Sequence, residues 1–356
     1  LGVYEFSADL NDKTPTNGEP CILINSSDVI LDGKGYTLDG TGSGHGINCS
    51  EADSYVNITI NNFTVQEFSY GVFFRHPAIM PPSNWANISY VNITDTVNTA
   101  LYLYGSAINL TDIVVTNATR GIESATVGDT YLNKVDIINA SRALYLSWDE
   151  VVDDVTILND EEGVYAIENT ATSTVSNVSI TGGYSDYILR ARSASSFDSV
   201  DISSVGYNNI GKVVIFDADG ARLSNFEMEG TGGFIVESET RNTIVENIVI
   251  SNFSSPVLEL VGVGGVFSNN KFDNVTVNCS DSTADTVVDI RAGQDMVLSN
   301  WKIYEFSTLS DTNAINVSGV SENTTIRDCY IEDNSGIVVG RAVKTIRPNT
   351  TIDNLT

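Results

Sequence analysis

The chain has few positive charges, two histidines, seven prolines and no long apolar run. Each scarcity excludes something. Lys and Arg number 18 against 46 Asp and Glu, a formal charge of −28 with a pI near 4.1. Such a surface repels nucleic acid and anionic membranes, and it suits a hydrated, self-repelling exterior. No stretch reaches the roughly 18 apolar residues of a membrane span. The opening LGVYEFSADL lacks the basic-then-apolar pattern of a secretory signal, so an exported protein would show its mature start here. Two histidines, and cysteines in no ligand spacing with them, argue against a transition-metal site. Asn, Ser, Thr, Val and Ile are plentiful, a mix that favours β-structure with many turns and little helix.

With 356 residues, 42% of them hydrophobic, the chain can build one large domain or two ordinary ones. A six-residue phrase recurs along it: FDSVDI, LSNFEM, VENIVI. Its pattern is apolar, two mostly polar residues, apolar, any, apolar. Aligned on its fourth position, the phrase gives Phe63, Val91, Ile113, Val135, Val155, Val178, Val200, Phe226, Ile248, Val275, Trp301, Cys329 and Leu355, spaced mostly 20–28 residues apart. Val29 heads the list if Ser26 stands for the first apolar residue, with Leu31 two positions on. A sustained period of this size means a solenoid.

Apolar residues two after the anchor make an alternating strand with one buried face. Apolar residues three before it fall on the opposite face of a straight strand, and a bend would return them inward. The residue just before the anchor is often Asn or Asp, which tolerate left-handed backbone angles. Asn62, Asp112, Asp154, Asn177, Asn225, Asn247, Asn274, Asn300 and Asp328 are thus expected to form a ladder, with Asn62, Asn177, Asn274 and, in the same column, Asn354 pointing inward. Further apolar runs, among them YGVFF (70–74) and SGIVVG (335–340), read as a second strand per period. The expected fold is all-β: a single-stranded, right-handed parallel β-helix of about 13–14 coils. Residues 1–20 are a cap or half coil, and 21–356 are the solenoid, ending in mid-coil.

The opening coil, SSDVILDGKGYTLDGTGSGHGINC (26–49), and the phrases that follow resemble the NosD-like parallel β-helix repeat proteins, related in shape to pectate lyases and common among archaeal surface proteins. The resemblance covers nearly the whole chain. It implies an exported β-solenoid but carries no activity, because the fold hosts lyases, hydrolases, adhesins and scaffolds. The copper association of the family's namesake is not carried over.

The glycosylation signal N-x-[ST] occurs seventeen times, where composition alone would give roughly seven. Strand and ladder positions already favour Asn and Thr, so part of the excess comes without sugar. The register selects Asn92, Asn117, Asn139 and Asn252 as glycan carriers, the last three where the strand turns. Cys21 and Cys49 lie 28 residues apart, close to one coil, and are expected to bridge. Cys329 falls in a core column, and Cys279 is either free or paired with another molecule.

Catalytic signals are thin. GHG at 44–46 matches one element of a polygalacturonase pattern, but the paired aspartates Asp153 and Asp154 are several coils away and no Arg-x-Lys occurs, so His45 reads as a turn residue. Arg120, Arg142 and Glu162 share one column, with Asp149 and Glu150 nearby, either as a surface ion-pair ladder or as a lyase-like site. No cofactor is called for; Ca²⁺ is the one ion these carboxylates could take. Aromatics around 70–74, 102–104 and 145–148 form either an outward platform for sugar rings or filling within the coil. The expected role is a secreted, glycosylated, structural cell-surface protein that self-associates, with open coil ends stacking head to tail into a layer, sheath or filament. The alternative is a polysaccharide-active lyase or hydrolase, or a carbohydrate-binding module.

Overall fold

The computed structural model describes the chain apart from residues 1, 15–18, 50–55, 76–85, 105–106, 126–129, 204–212, 231–233, 238–239, 254–256, 262–267, 280–285, 306–312, 333–340 and 346–349. The expected strand at 335–340 therefore lies outside the described residues. Every described element is a strand, and the strands pair in parallel as a β-solenoid of about 11 turns, fewer than the 13–14 coils expected. Contacts divide the chain into two compact units, Leu1–Ser179 and Ile180–Thr356.

In the first unit the anchor residues stack as read from the phrases. Val135 pairs with Ile113 on one side and Val155 on the other. Leu132 pairs with Leu110 and Val152, and Ile137 with Val115 and Ile157. All nine are at most 2% exposed. The second unit repeats the arrangement with Phe226 between Val200 and Ile248, and Ile248 beside Val275. Trp301 continues that buried column, and its indole N–H donates to the Phe272 carbonyl at 3.2 Å. Burying each such side chain contributes about 1.5–3 kcal/mol.

The bend that returns three apolar columns to one interior is a single left-handed residue. At the position before the anchor, φ is positive in every coil from Asn62 (57°) to Asn354 (48°). That column includes Tyr90, Lys134 and Ser199, types with no special liking for this region. The coil imposes the angle, and Asn or Asp is only the cheapest residue to meet it. Two further left-handed columns flank it at five-residue intervals. Asn57, Ala107, Asn242, Asn269, Asp295 and Asn323 lie on one side, and Glu67, Asp95, Asn117, Asn139, Asn252 and Glu305 on the other.

The side chains of this column do not point inward. Asp154, Asn177, Asn225, Asn247, Asn274, Asn300, Asp328 and Asn354 are exposed, and Asn62 and Asp112 are half-buried. A left-handed residue bends the chain around the core, which leaves its own side chain on the convex side. The ladder therefore runs along the outside.

The first coil is also out of the register expected. Val29 pairs with Ile58 and Leu31 with Ile60, while Leu38 pairs with Val65. Leu31 thus belongs to the column before the bend, and Leu38 to the one after it. Between them the chain carries two more residues than the next coil does. Gly33 makes this possible: a Cβ there would lie 2.2 Å from the Asn62 carbonyl and 2.7 Å from the Phe63 ring. Ahead of this coil, Gly2–Glu5 pairs in parallel with Val29–Asp32, Leu10 with Leu38, and Phe6 packs edge-on against Phe63 at 4.9 Å.

Candidate functional face

The second strand of each coil in the first unit presents a mixed aromatic and charged face. Two columns run from rung to rung. One holds His45, Tyr70, Thr99, Arg120, Arg142 and Tyr165; the other holds Asn48, Phe73, Tyr102, Glu123, Tyr145 and Glu168, of which Asn48, Thr99, Tyr165 and Glu168 are buried. Between the columns sits a small inward residue such as Gly71, Ala100, Gly121 or Ala143. A Cβ on Gly121 would meet the Ala143 carbonyl at 2.5 Å, so the backbones approach closely here. The residues on either side converge: Asn48 reaches His45 at 3.1 Å, the Tyr70 and Phe73 rings lie 5.3 Å apart, and Arg120 holds Glu123 at 2.8 Å.

At one end the face is aromatic. His45 stacks on Phe73 at 4.5 Å with rings 1° from parallel, and Phe73 stacks on Tyr102 at 4.8 Å and 7°. Tyr70 packs edge-on against all three rings. Its hydroxyl accepts a hydrogen bond from Asn98 Nδ2 at 2.7 Å. The separations match the rise between strands, so Phe73 is covered on both faces, by His45 and Tyr102. His45, Tyr70, Phe73 and Tyr102 are half-buried, so the stack is not filling within the coil. His45 is not in a turn but on the strand His45–Cys49. Burial holds its imidazole below the usual histidine range, and with Nδ1 unprotonated the ring accepts from Asn48. Of the other aromatics singled out, Phe74 is buried, while Trp148 is exposed.

At the other end the face is charged. Arg120 and Arg142 are in register as expected, but the next residue in the column is Tyr165 and not Glu162. The register shifts between Ile138 and Arg142, which displaces the following strand. The side chain of Glu162 lies outside the described residues. The Arg142 guanidinium lies over the Tyr165 ring at 5.8 Å, as Arg75 lies over Tyr104. Arg120 is ion-paired with Glu123, whereas Arg142 makes no ion pair with a described residue.

The nearby acids do not converge on this face. Glu150 is 1% exposed and accepts from Ser124 Oγ, Ser173 Oγ and the backbone N–H groups of Ser147 and Trp148. Burial pushes its carboxyl up despite these donors. It is a structural latch between coils. Asp149 and Asp154 are exposed, and Asp153 accepts from Ser176 Oγ at 2.9 Å and Asn177 Nδ2 at 2.7 Å. That last arrangement recurs. Asp198 takes Ser224 and Asn225, and Asp273 takes Ser299 (2.7 Å) and Asn300 (2.8 Å). The Ser224 hydroxyl, with Asn225, holds the Asp198 carboxyl below the usual range. Elsewhere the ladder is plain: Asn274 donates to Asn247 at 2.8 Å and Asn247 to Asn225 at 3.1 Å. Among the described residues no group of three His, Cys, Asp or Glu is arranged to hold a metal ion.

Of the four selected sequons, Asn92 and Asn117 are exposed, and Asn139 and Asn252 half-exposed. Asn117, Asn139 and Asn252 sit at left-handed corners, where Asn117 donates to Asp95 at 2.9 Å and Asn252 to Glu229 at 2.9 Å. Asn92 lies on a strand between Thr64 and Val114. The structure does not bring Cys21 and Cys49 together. Pro20 pairs with His45 and Ile22 with Ile47, which puts Gly46 opposite Cys21 and Cys49 three residues further on. Three residues of strand span about 10 Å, beyond a disulfide's reach. All four thiols are free. Cys49, Cys279 and Cys329 are buried as small core residues, and burial pushes the Cys279 thiol up to about 12.

Comparison with known proteins adds little to this geometry. No protein-family model and no curated protein matches the chain. Among solved structures, a GH136 lacto-N-biosidase from Eubacterium ramulus aligns with 99% of this chain at 8% identity and a TM-score of 0.23. The chain spans 60% of that protein's length.

Proposed function

We propose that the chain is a structural protein of an extracellular surface, its flank carrying N-linked glycans and its copies associating through solenoid stacking. The observation that carries this reading is how the outer side chains are used. Asn, Asp, Ser and aromatic groups along the flanks are spent on contacts from one coil to the next: the corner ladders, the Asp–Ser–Asn clusters and the ring stack. A surface built that way ties the coils together; it does not gather acids and bases at one point. The high acid content keeps such a protein hydrated and resists lateral sticking. Electron microscopy and light scattering of purified protein test self-association. Ordered polymers at rising concentration support it, and monomers at high concentration overturn it. Glycopeptide mass spectrometry of material from the native source tests the sugars, with Asn92 the expected carrier.

A second reading, carbohydrate binding, is favoured by one observation: the converging aromatic and charged columns between His45 and Glu168. It is compatible with a structural role.

A further inference from the structure

We propose that the charged end of this face, centred on Arg142 and Arg120, binds the carboxylates of an acidic saccharide. The inference rests on the carbohydrate-binding reading and names its ligand class. In a chain with 46 acids and 18 bases, an arginine without a carboxylate partner is conspicuous. Arg142 is such a residue among the described ones: its one recorded partner is the ring of Tyr165. An arginine lying over an aromatic ring keeps its outer fork free, and that planar fork matches a carboxylate in a bidentate pair.

The pairing of two guanidinium groups with an aromatic ring selects the ligand. Arg142 and Arg120 are register partners on neighbouring strands, and such strands lie about 4.8 Å apart. Guanidinium groups that close can converge on one carboxylate of the ligand. Tyr145, half-exposed in the second column of the Arg142 rung, adds an aromatic surface suited to a sugar's apolar side. Glu123 occupies the Arg120 fork at 2.8 Å, so Arg142 is the stronger contact and Arg120 joins by exchanging partners. The net charge of −28 repels any polyanion at long range, but at 0.15 M salt that field is screened over about 8 Å. Binding then depends on the contact itself.

The test is calorimetric titration at about 0.15 M salt with three probes: an oligogalacturonate, a neutral galactose oligomer of equal length, and a poly-glutamate peptide. The oligogalacturonate is expected to bind and the neutral oligomer to give no signal. Arg142→Gln should weaken binding about tenfold or more with an unchanged unfolding midpoint. If that variant fails to fold, Arg142→Lys, which keeps the charge but loses the fork, must show the weakening in folded protein. No binding to the wild type, equal binding by Arg142→Gln, or equal binding of the neutral oligomer would overturn the proposal. Tighter binding of poly-glutamate would also overturn it and make the partner an acidic protein segment. Binding of both sugars, unaffected at Arg142, would sink this inference while leaving the carbohydrate-binding reading intact.

Discussion

Replacing Asn247 separates what the ladder contributes from what the corner demands. Asn247 has φ 58°, donates to Asn225 at 3.1 Å and accepts from Asn274 at 2.8 Å, all on an exposed edge. Alanine and glycine both remove the two hydrogen bonds, worth about 0.5 kcal/mol each on an exposed edge. Alanine must then hold a left-handed angle, a strain of about 1–2 kcal/mol. Glycine carries no such strain but frees the unfolded chain, a loss of about 0.5–1 kcal/mol. The expected order is wild type, then Asn247→Gly lower by about 1.5–2 kcal/mol, then Asn247→Ala lower by about 2–3 kcal/mol. Urea unfolding followed by circular dichroism would measure the difference. Stacked coils are able to melt locally, so hydrogen exchange across Ile244–Ser251 and Lys271–Asn278 should accompany it. Alanine matching glycine would show that the corner angle is not the constraint. Both variants matching the wild type would show that the ladder adds nothing.

Three further outcomes are expected. Ile137→Ala, at a fully buried site between Val115 and Ile157, should cost about 2–5 kcal/mol in the same unfolding assay; a loss below about 1 kcal/mol would mean that the column is not packed as described. Gly33→Ala should cost about 2 kcal/mol or more, since its Cβ meets the Asn62 carbonyl at 2.2 Å, while Gly35→Ala, facing open space at φ 79°, should lose about 1 kcal/mol; the reverse order would contradict the inserted-turn geometry. His45, held below its ordinary value by burial, stays neutral in the fold while the unfolded chain gains a proton, so its contribution is present above the ordinary pKa and lost as pH falls through the depressed one. The stability difference between wild type and His45→Phe, which keeps the stack with Phe73, should therefore narrow or reverse from pH 7 to pH 5; a pH-independent difference would remove histidine titration from the account.

Sequence alone determined the period, the strands and the inward columns, because burying one side of a strand leaves a direct alternation of apolar residues. It also held more than the ladder reading used. RNTIVENIVISNF places Asn242, Asn247 and Asn252 five apart, and each marks a corner. Which way those asparagines face was not legible, because left-handed tolerance is a property of the backbone and says nothing about the side chain's exposure. The tertiary structure decided matters of register. Two added residues at Gly33 moved Leu31 to another column and put Leu38 in the place expected for it, a slip between Ile138 and Arg142 put Tyr165 where Glu162 was expected, and a three-residue offset kept Cys21 from Cys49. A solenoid sets the neighbours of each side chain by counting residues from corner to corner. A period of variable length fixes that count only to within a few residues, which is enough for the core and too coarse for a pair of side chains that must touch.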